Sequence, residues 1–391
     1  MACALRCILA AVVVLGGVCI GQPSAATHAD PTLNLAPLDI GLTCAQYPLT
    51  PTVLTFIVDQ PDADILLLHF DYLNLMAQDS LALRAVVNHT VGEVVDTIRS
   101  TSTAPFFSVP LYTPMVVLEL HIVGGASRGD GRCYGFHVDG VRTSAVDGNK
   151  AASASESICG TDDAKNTQCF VSSGMYTASK AVVRLLTNRV GSSAFCTGWL
   201  LGCEGHVVTN EHCIQDAVDA ANTLIEFMAE GVSCSTNCNS QLACGASPRL
   251  FSRGATFIAA SKDLDYAIVK LDPAVIPQGL GFLRLRLSGP RLNEQVFIPQ
   301  HPLGWGKQVA AMVGHAPGTI TTLALAGCAV DQAGYMLDTQ PGSSGSPVVS
   351  VRDNSVVALH HCGGCPNGGI QSQKLVHDFA RRGILPQCSI A

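Results

Sequence analysis

Three short segments in the second half of this 391-residue chain carry side chains suited to nucleophilic acyl transfer. The sharpest runs Asp338-Thr339-Gln340-Pro341-Gly342-Ser343-Ser344-Gly345-Ser346-Pro347, followed by two valines. Its glycines permit the tight backbone that exposes a serine hydroxyl and aims main-chain N–H groups at a developing oxyanion, with Gly342 and Ser344 as the donors. A Gly/Ser surface loop is the plain alternative, but such loops seldom run straight into strand residues. The second segment spans residues 196–213 and ends an apolar strand pair in His212-Cys213. A rigid strand end of that kind can hold an imidazole against a nucleophile as general base, and a Cys196–Cys213 bridge would pin it. Taken alone, His212 reads as structural. The third segment, Asp263-Leu264-Asp265-Tyr266-Ala267-Ile268-Val269, puts an acid at the mouth of an apolar strand. A carboxylate there accepts the histidine Nδ1 proton and stabilises the imidazolium that forms during reaction. Asp265 takes this role, although by position alone its neighbour Asp263 fits it better.

These segments need strands to hold them. Residues 158–391 are rich in Gly, Cys and short strand-like runs with few helical patterns, so this region reads as all-β. Upstream, apolar runs at 53–58, 65–70, 81–87 and 115–123 alternate with turn residues and read as an antiparallel sandwich over 27–143. Cys44 and Cys133 bracket that region and are candidates for a bridge. Residues 144–157 are small and polar without apolar period, a linker. The N-terminus has the three parts of a signal peptide over 1–26: Arg6, an apolar run from 8 to 20 and small residues at 24–26. That run is shorter than the roughly 20 residues a membrane span needs.

Export changes what the 17 cysteines mean, because an oxidising compartment favours disulfides. Removing Cys3, Cys7 and Cys19 with the signal leaves an even set, in keeping with full pairing. Cys234, Cys238 and Cys244 sit in a Ser/Asn-rich insertion and read as staples of a loop at the cleft rim. His360, His361, Cys362 and Cys365 could be read as a zinc site, but in a secreted chain the two cysteines read better as disulfide halves. Asn88 heads a glycosylation acceptor if the host is eukaryotic. Charged residues are 14% of the chain and the net charge is −7, which gives no basic face for nucleic acid.

Taken together, the segments in the order His, Asp, Ser resemble the trypsin-like serine peptidases. Thr209-Asn210-Glu211-His212-Cys213 resembles the histidine motif, Asp265-Tyr-Ala-Ile-Val the aspartate motif, and Gly342-Ser343-Ser344-Gly345-Ser346-Pro347 the nucleophile motif of the bacterial-type branch with glutamyl and lysyl endopeptidases. His301-Pro-Leu-Gly304 and Leu359-His-His-Cys-Gly-Gly364 also resemble segments of that branch. The resemblance implies two six-stranded barrels with a His212-Asp265-Ser344 triad between them. It implies an endopeptidase acting on protein or peptide substrates without a cofactor; the signal segment implies secretion with no membrane span once it is removed, and a monomer without a metal is expected. Animal digestive relatives carry an acid just before the nucleophile, which pairs with a newly cut N-terminus. Here Ser343 stands there, so activation should not use that ion pair, and the N-terminal domain is an accessory, pro- or targeting module.

For specificity, three readings stand level. Asp338 falls where trypsin-like enzymes keep the acid that binds Arg or Lys, Thr339 with His361 fall where glutamyl endopeptidases bind an acidic side chain, or the Asp-Thr pair is structural. The competing function is a catalytically silent homologue that binds a partner.

Overall fold

The computed structural model describes residues 19–20, 35–87, 89–99, 105–124, 132–144, 158–189, 192–246 and 250–391. The Asn88 acceptor, linker residues 145–157 and most of the signal segment lie outside these. From the signal segment only Cys19–Ile20 is described, as a two-residue strand parallel to Thr52–Asp59. The chain divides into two units, Met1–Val146 and Asp147–Ala391. Among the described residues, no helix is long and apolar enough to cross a membrane.

In the first unit two sheets form. One runs Cys19–Ile20, Thr52–Asp59, Met115–Ile122, Ser80–Val87, Thr90–Ile98, and the other Leu35–Leu42, Gly135–Ser144, Ile65–Asn74, Phe106–Phe107. Phe56 from the first meets Phe136 from the second edge-on at 5.1 Å, a ring contact between the two sheets. The two sheets therefore hold five strands beyond the four visible as apolar runs. Cys44 and Cys133 form a disulfide. His69 and His137 have carboxylate partners, His69 on Asp139 at 2.6 Å and His137 on Asp71 at 2.9 Å.

The second unit is the double-barrel architecture, with curled sheets of seven and eight strands where six and six were expected. The seven-stranded sheet orders Leu250–Arg253, Thr223–Phe227, Val182–Arg189, Ser192–Leu201, His206–Thr209, Tyr266–Lys270, Thr256–Ser261. In the eight-stranded sheet Val296–Gln300, Pro347–Ser350, Val356–Cys362 and Asn367–Gln371 are consecutive neighbours. The β-branched runs Val182-Val183, Val207-Val208 and Val348-Val349 fit this pleated, buried surface. One apolar cluster includes Val182, Trp199, Val208, Ile268, Phe297, Val349, Leu359 and Phe379, and so joins residues of both sheets into a continuous core. The closing helix, Ser372–Arg382, buries Leu375, Val376 and Phe379 and ends at Gly383 in the left-handed conformation.

Among the described residues there are seven disulfides, six of them in the second unit: Cys159–Cys365, Cys169–Cys234, Cys196–Cys213, Cys203–Cys388, Cys238–Cys244 and Cys328–Cys362. Because Cys362 and Cys365 are both bonded as disulfide halves, they have no thiolate for zinc.

Candidate active site

His212 follows the buried strand His206–Thr209, and the turn that presents it is closed by Cys213 N–H and Ile214 N–H, both donating to the Asn210 carbonyl. Its imidazole Nδ1 lies 2.8 Å from Asp265 Oδ2 and 3.1 Å from Oδ1, and its backbone N–H donates to Oδ1 at 3.2 Å. Asp263, the positional competitor, is exposed and makes no such contact. The difference lies in the turn: Asp265 holds φ +39, a left-handed conformation unusual for a non-glycine, which swings its carboxylate back to the histidine. Asn210 Nδ2 donates to the Asp265 carbonyl at 2.7 Å and helps to hold that conformation. The next residue, Tyr266, is bolted to the closing helix, donating to Asp378 at 2.5 Å and meeting Phe379 edge-on. The helix thus braces the strand that carries the acid.

Burial pushes the Asp265 carboxyl up, but hydrogen bonds from His212 and His361 outweigh it and hold the group well below the usual carboxylate range. A depressed carboxyl stabilises the fold above its unfolded value and loses that contribution as pH falls through the folded one. Asp265 therefore stays ionised wherever a histidine base can work.

The nucleophile loop is wired to the histidine strand through one residue. Thr197 N–H donates to the Ser344 carbonyl at 2.9 Å, Thr197 Oγ1 donates to the Gly342 carbonyl at 2.8 Å, and Thr209 Oγ1 donates to the Thr197 carbonyl at 2.8 Å. The Cys196–Cys213 disulfide joins the neighbours of Thr197 and His212. Two glycines make the loop possible. Gly342 and Gly345 have φ +94 and +87, and a methyl group on Gly345 would run into the Thr197 carbonyl and Thr209 Oγ1.

Within this loop the backbone donors divide cleanly. Gln340 N–H donates to Ser343 Oγ, Ser343 N–H to the Gln340 carbonyl, Gly345 N–H to the His360 carbonyl and Ser346 N–H to the Ser343 carbonyl. Pro341 has none. Between Gln340 and Ser346 the amides of Gly342 and Ser344 donate to no protein acceptor among the described residues, the condition an oxyanion hole needs. Ser344 Oγ makes no hydrogen bond to His212 in this structure; catalytic hydrogen bonds of this kind often tighten only with substrate bound.

The three specificity candidates are all engaged inside the fold. Asp338, 3% exposed, accepts from the backbone N–H groups of Cys159 at 2.9 Å and Asp163 at 2.8 Å. Burial pushes its carboxyl up against the pull of those two amides. Thr339 donates to Asn367 Oδ1 at 3.0 Å. His361 lies 3.2 Å from Asp265 and 2.6 Å from Gln332 Oε1. Each of the three side chains thus has hydrogen-bond partners within the fold. His360 is buried against Tyr335 Oη at 2.7 Å, and burial pushes its imidazole down to about 3, so it stays neutral. Sequence reasoning missed Asn210, Thr197, Gln332 and the docking of residues 159–163 on Asp338; each acts through a partner far along the chain.

The trypsin-like peptidase domain model matches residues 196–359. The secreted RxLR effector protein 73 of Plasmopara viticola is 43% identical over 362 residues, 89% of this chain and 89% of that protein. Among solved structures, an HtrA-type protease with tripeptide is 18% identical with a TM-score of 0.40 over 53% of this chain. The serine endoprotease from Yersinia pestis is 16% identical with a TM-score of 0.39, also over 53% of this chain. The match spans 61% and 65% of the length of those two proteases.

Proposed function

The chain belongs to the family of the Plasmopara viticola effector and carries a trypsin-like peptidase domain, and from this we propose that it is a secreted serine endopeptidase. The observation that carries the reading is the pair of amides, Gly342 and Ser344, that donate to no protein acceptor among the described residues, in a turn, 340–346, whose other N–H groups are paired. Ser344 Oγ attacks the peptide carbonyl while His212 Nε2 takes its proton. The oxyanion sits on the two amides, and collapse of the tetrahedral intermediate expels the amine, which receives the proton back. Water then repeats the sequence on the acyl-enzyme and frees the acid. Asp265 keeps the Nδ1 proton in place and stabilises the imidazolium. The His212 side chain is 45% exposed, open to a substrate that would complete the Ser344–His212 contact.

Secretion draws support from the relative's printed name and from seven disulfides, which persist in oxidising compartments. Residues 27–143 are then an accessory or pro-domain. A second reading, a silent homologue that binds a partner, draws on the open Ser344–His212 pair and on the relative being an effector.

The test is hydrolysis of matched peptides with Arg, Lys, Glu or a bulky apolar residue before the scissile bond, beside the Ser344→Ala protein. We expect cleavage that needs Ser344 and lacks a marked preference for Arg or Lys, because Asp338 is already engaged by two amides. Strong basic preference would contradict the reading of Asp338. Cleavage that survives Ser344→Ala would contradict the mechanism.

A further inference from the structure

We propose that His361 is a positioning residue that holds Asp265 by donating from both ring nitrogens, one to Asp265 and one to Gln332, so that the aspartate of this site is shared by two histidines. The inference deepens the peptidase reading and rests on it for its catalytic consequence.

The Ala329 carbonyl can only accept a hydrogen bond. Gln332 lies 2.7 Å from it through Nε2, which fixes the amide so that Oε1 faces the other way. That oxygen lies 2.6 Å from His361 Nε2, and since an amide oxygen only accepts, Nε2 carries a proton. The other ring nitrogen, Nδ1, lies 3.2 Å from Asp265 Oδ2. A neutral ring protonated on Nε2 would aim a lone pair at a carboxylate oxygen, a repulsive contact. The carboxylate itself is ionised, since it receives His212 Nδ1 and the His212 amide as well. Both nitrogens of His361 therefore donate, and the ring is an imidazolium.

Burial makes the arrangement consequential. The His361 side chain is 3% exposed and Gln332 is fully buried, so water cannot take the place of either partner. The titratable groups facing His361 are Asp265 on the Tyr266–Lys270 strand, His212 beyond it, and the adjacent His360, which is neutral and backed by Tyr335. The only anion in the group is Asp265. A second cation on that carboxylate opposes the imidazolium that His212 becomes in the transition state, which favours release of the proton from His212. Removing the His361 charge should relieve that opposition.

His361→Asn keeps a neutral donor near the Nδ1 position and removes the charge. Its acid limb of kcat/KM should move to higher pH with KM unchanged, whereas His361→Ala, which loses the donor too, should also lower kcat about tenfold. Superimposable pH profiles for wild type and His361→Asn, at equal folded content, would overturn the role. A measurement that needs no activity stands beside it: ¹⁵N NMR of the His361 ring in the Ser344→Ala protein. We expect both nitrogens protonated between about pH 6 and 8. A neutral His361 ring across that range would overturn the assignment. If the wild type fails to cleave any peptide, the peptidase reading is what falls, and the NMR result still decides the charge on His361.

Discussion

Replacing Asp265 with asparagine should reduce kcat about 10⁴-fold while KM stays within a few-fold. The geometry dictates the sign. Asp265 accepts from His212 Nδ1 at 2.8 Å, which leaves the Nε2 lone pair free for the Ser344 proton. An asparagine can present its Nδ2 donor to Nδ1, and the ring then carries its proton on Nε2, where it cannot act as base. The loss falls on a step after binding, so kcat carries it. The same substitution strips the carboxylate from His361, whose side chain is almost wholly buried, so folded content must be measured alongside. Circular dichroism and a titration of active sites would separate the two effects. A kcat within tenfold of wild type would contradict the assigned role.

The second large effect concerns stability. Arg184 is 1% exposed and pairs with Glu226, 2% exposed, through Nη2 at 2.6 Å and Nε at 3.1 Å. Its remaining donors reach the carbonyls of Ala243, Leu242 and Gly304. Arg184→Met leaves the Glu226 carboxylate buried without its guanidinium and withdraws those donors. We expect a loss of about 3–5 kcal/mol and a Tm lowered by roughly 10 °C. Restoring apolar balance with Glu226→Leu in the same chain should recover part of the loss, because removing both charges avoids the stranded one. A double variant no better than the single one would contradict this. The effect should reach the active site as well: Gly304 adjoins Leu303, whose N–H donates to the Pro341 carbonyl beside the oxyanion loop.

What the sequence made legible follows from how local each constraint is. The nucleophile loop reads clearly because Gly342 and Gly345 occupy positive-φ positions that a side chain would strain, so residue type and turn geometry imply one another. The strands behind His212 and Asp265 read clearly because their apolar β-branched runs are continuous and fully buried. By contrast, Asp265 and His361 meet across 96 residues, and Asp338 meets Cys159 across 179, so no spacing could announce either contact. For the same reason the sequence alone leaves three readings of Asp338, Thr339 and His361 level.

In the first unit the strand Thr90–Ile98 escaped notice because it lies largely exposed and shows little apolar alternation. Leu35–Leu42 carries Pro37 and Gly41, residues that argue against a strand, and its pairing register shifts between Pro37 and Ile40. Phe106–Phe107 is too short for any period. The disulfides that link distant segments, such as Cys159–Cys365 and Cys203–Cys388, follow from tertiary proximity that cysteine spacing does not encode.

The most direct test of the central claim is covalent labelling of the secreted protein with a fluorophosphonate, followed by peptide mapping by mass spectrometry. A serine becomes reactive toward this probe only when a base and an oxyanion hole act on it together. The account predicts one adduct, on Ser344, absent from the Ser344→Ala and much slower in the Asp265→Asn protein. No adduct on Ser344 in a folded protein, across the pH range in which histidine is neutral, would contradict it and would favour a binding role for the same fold.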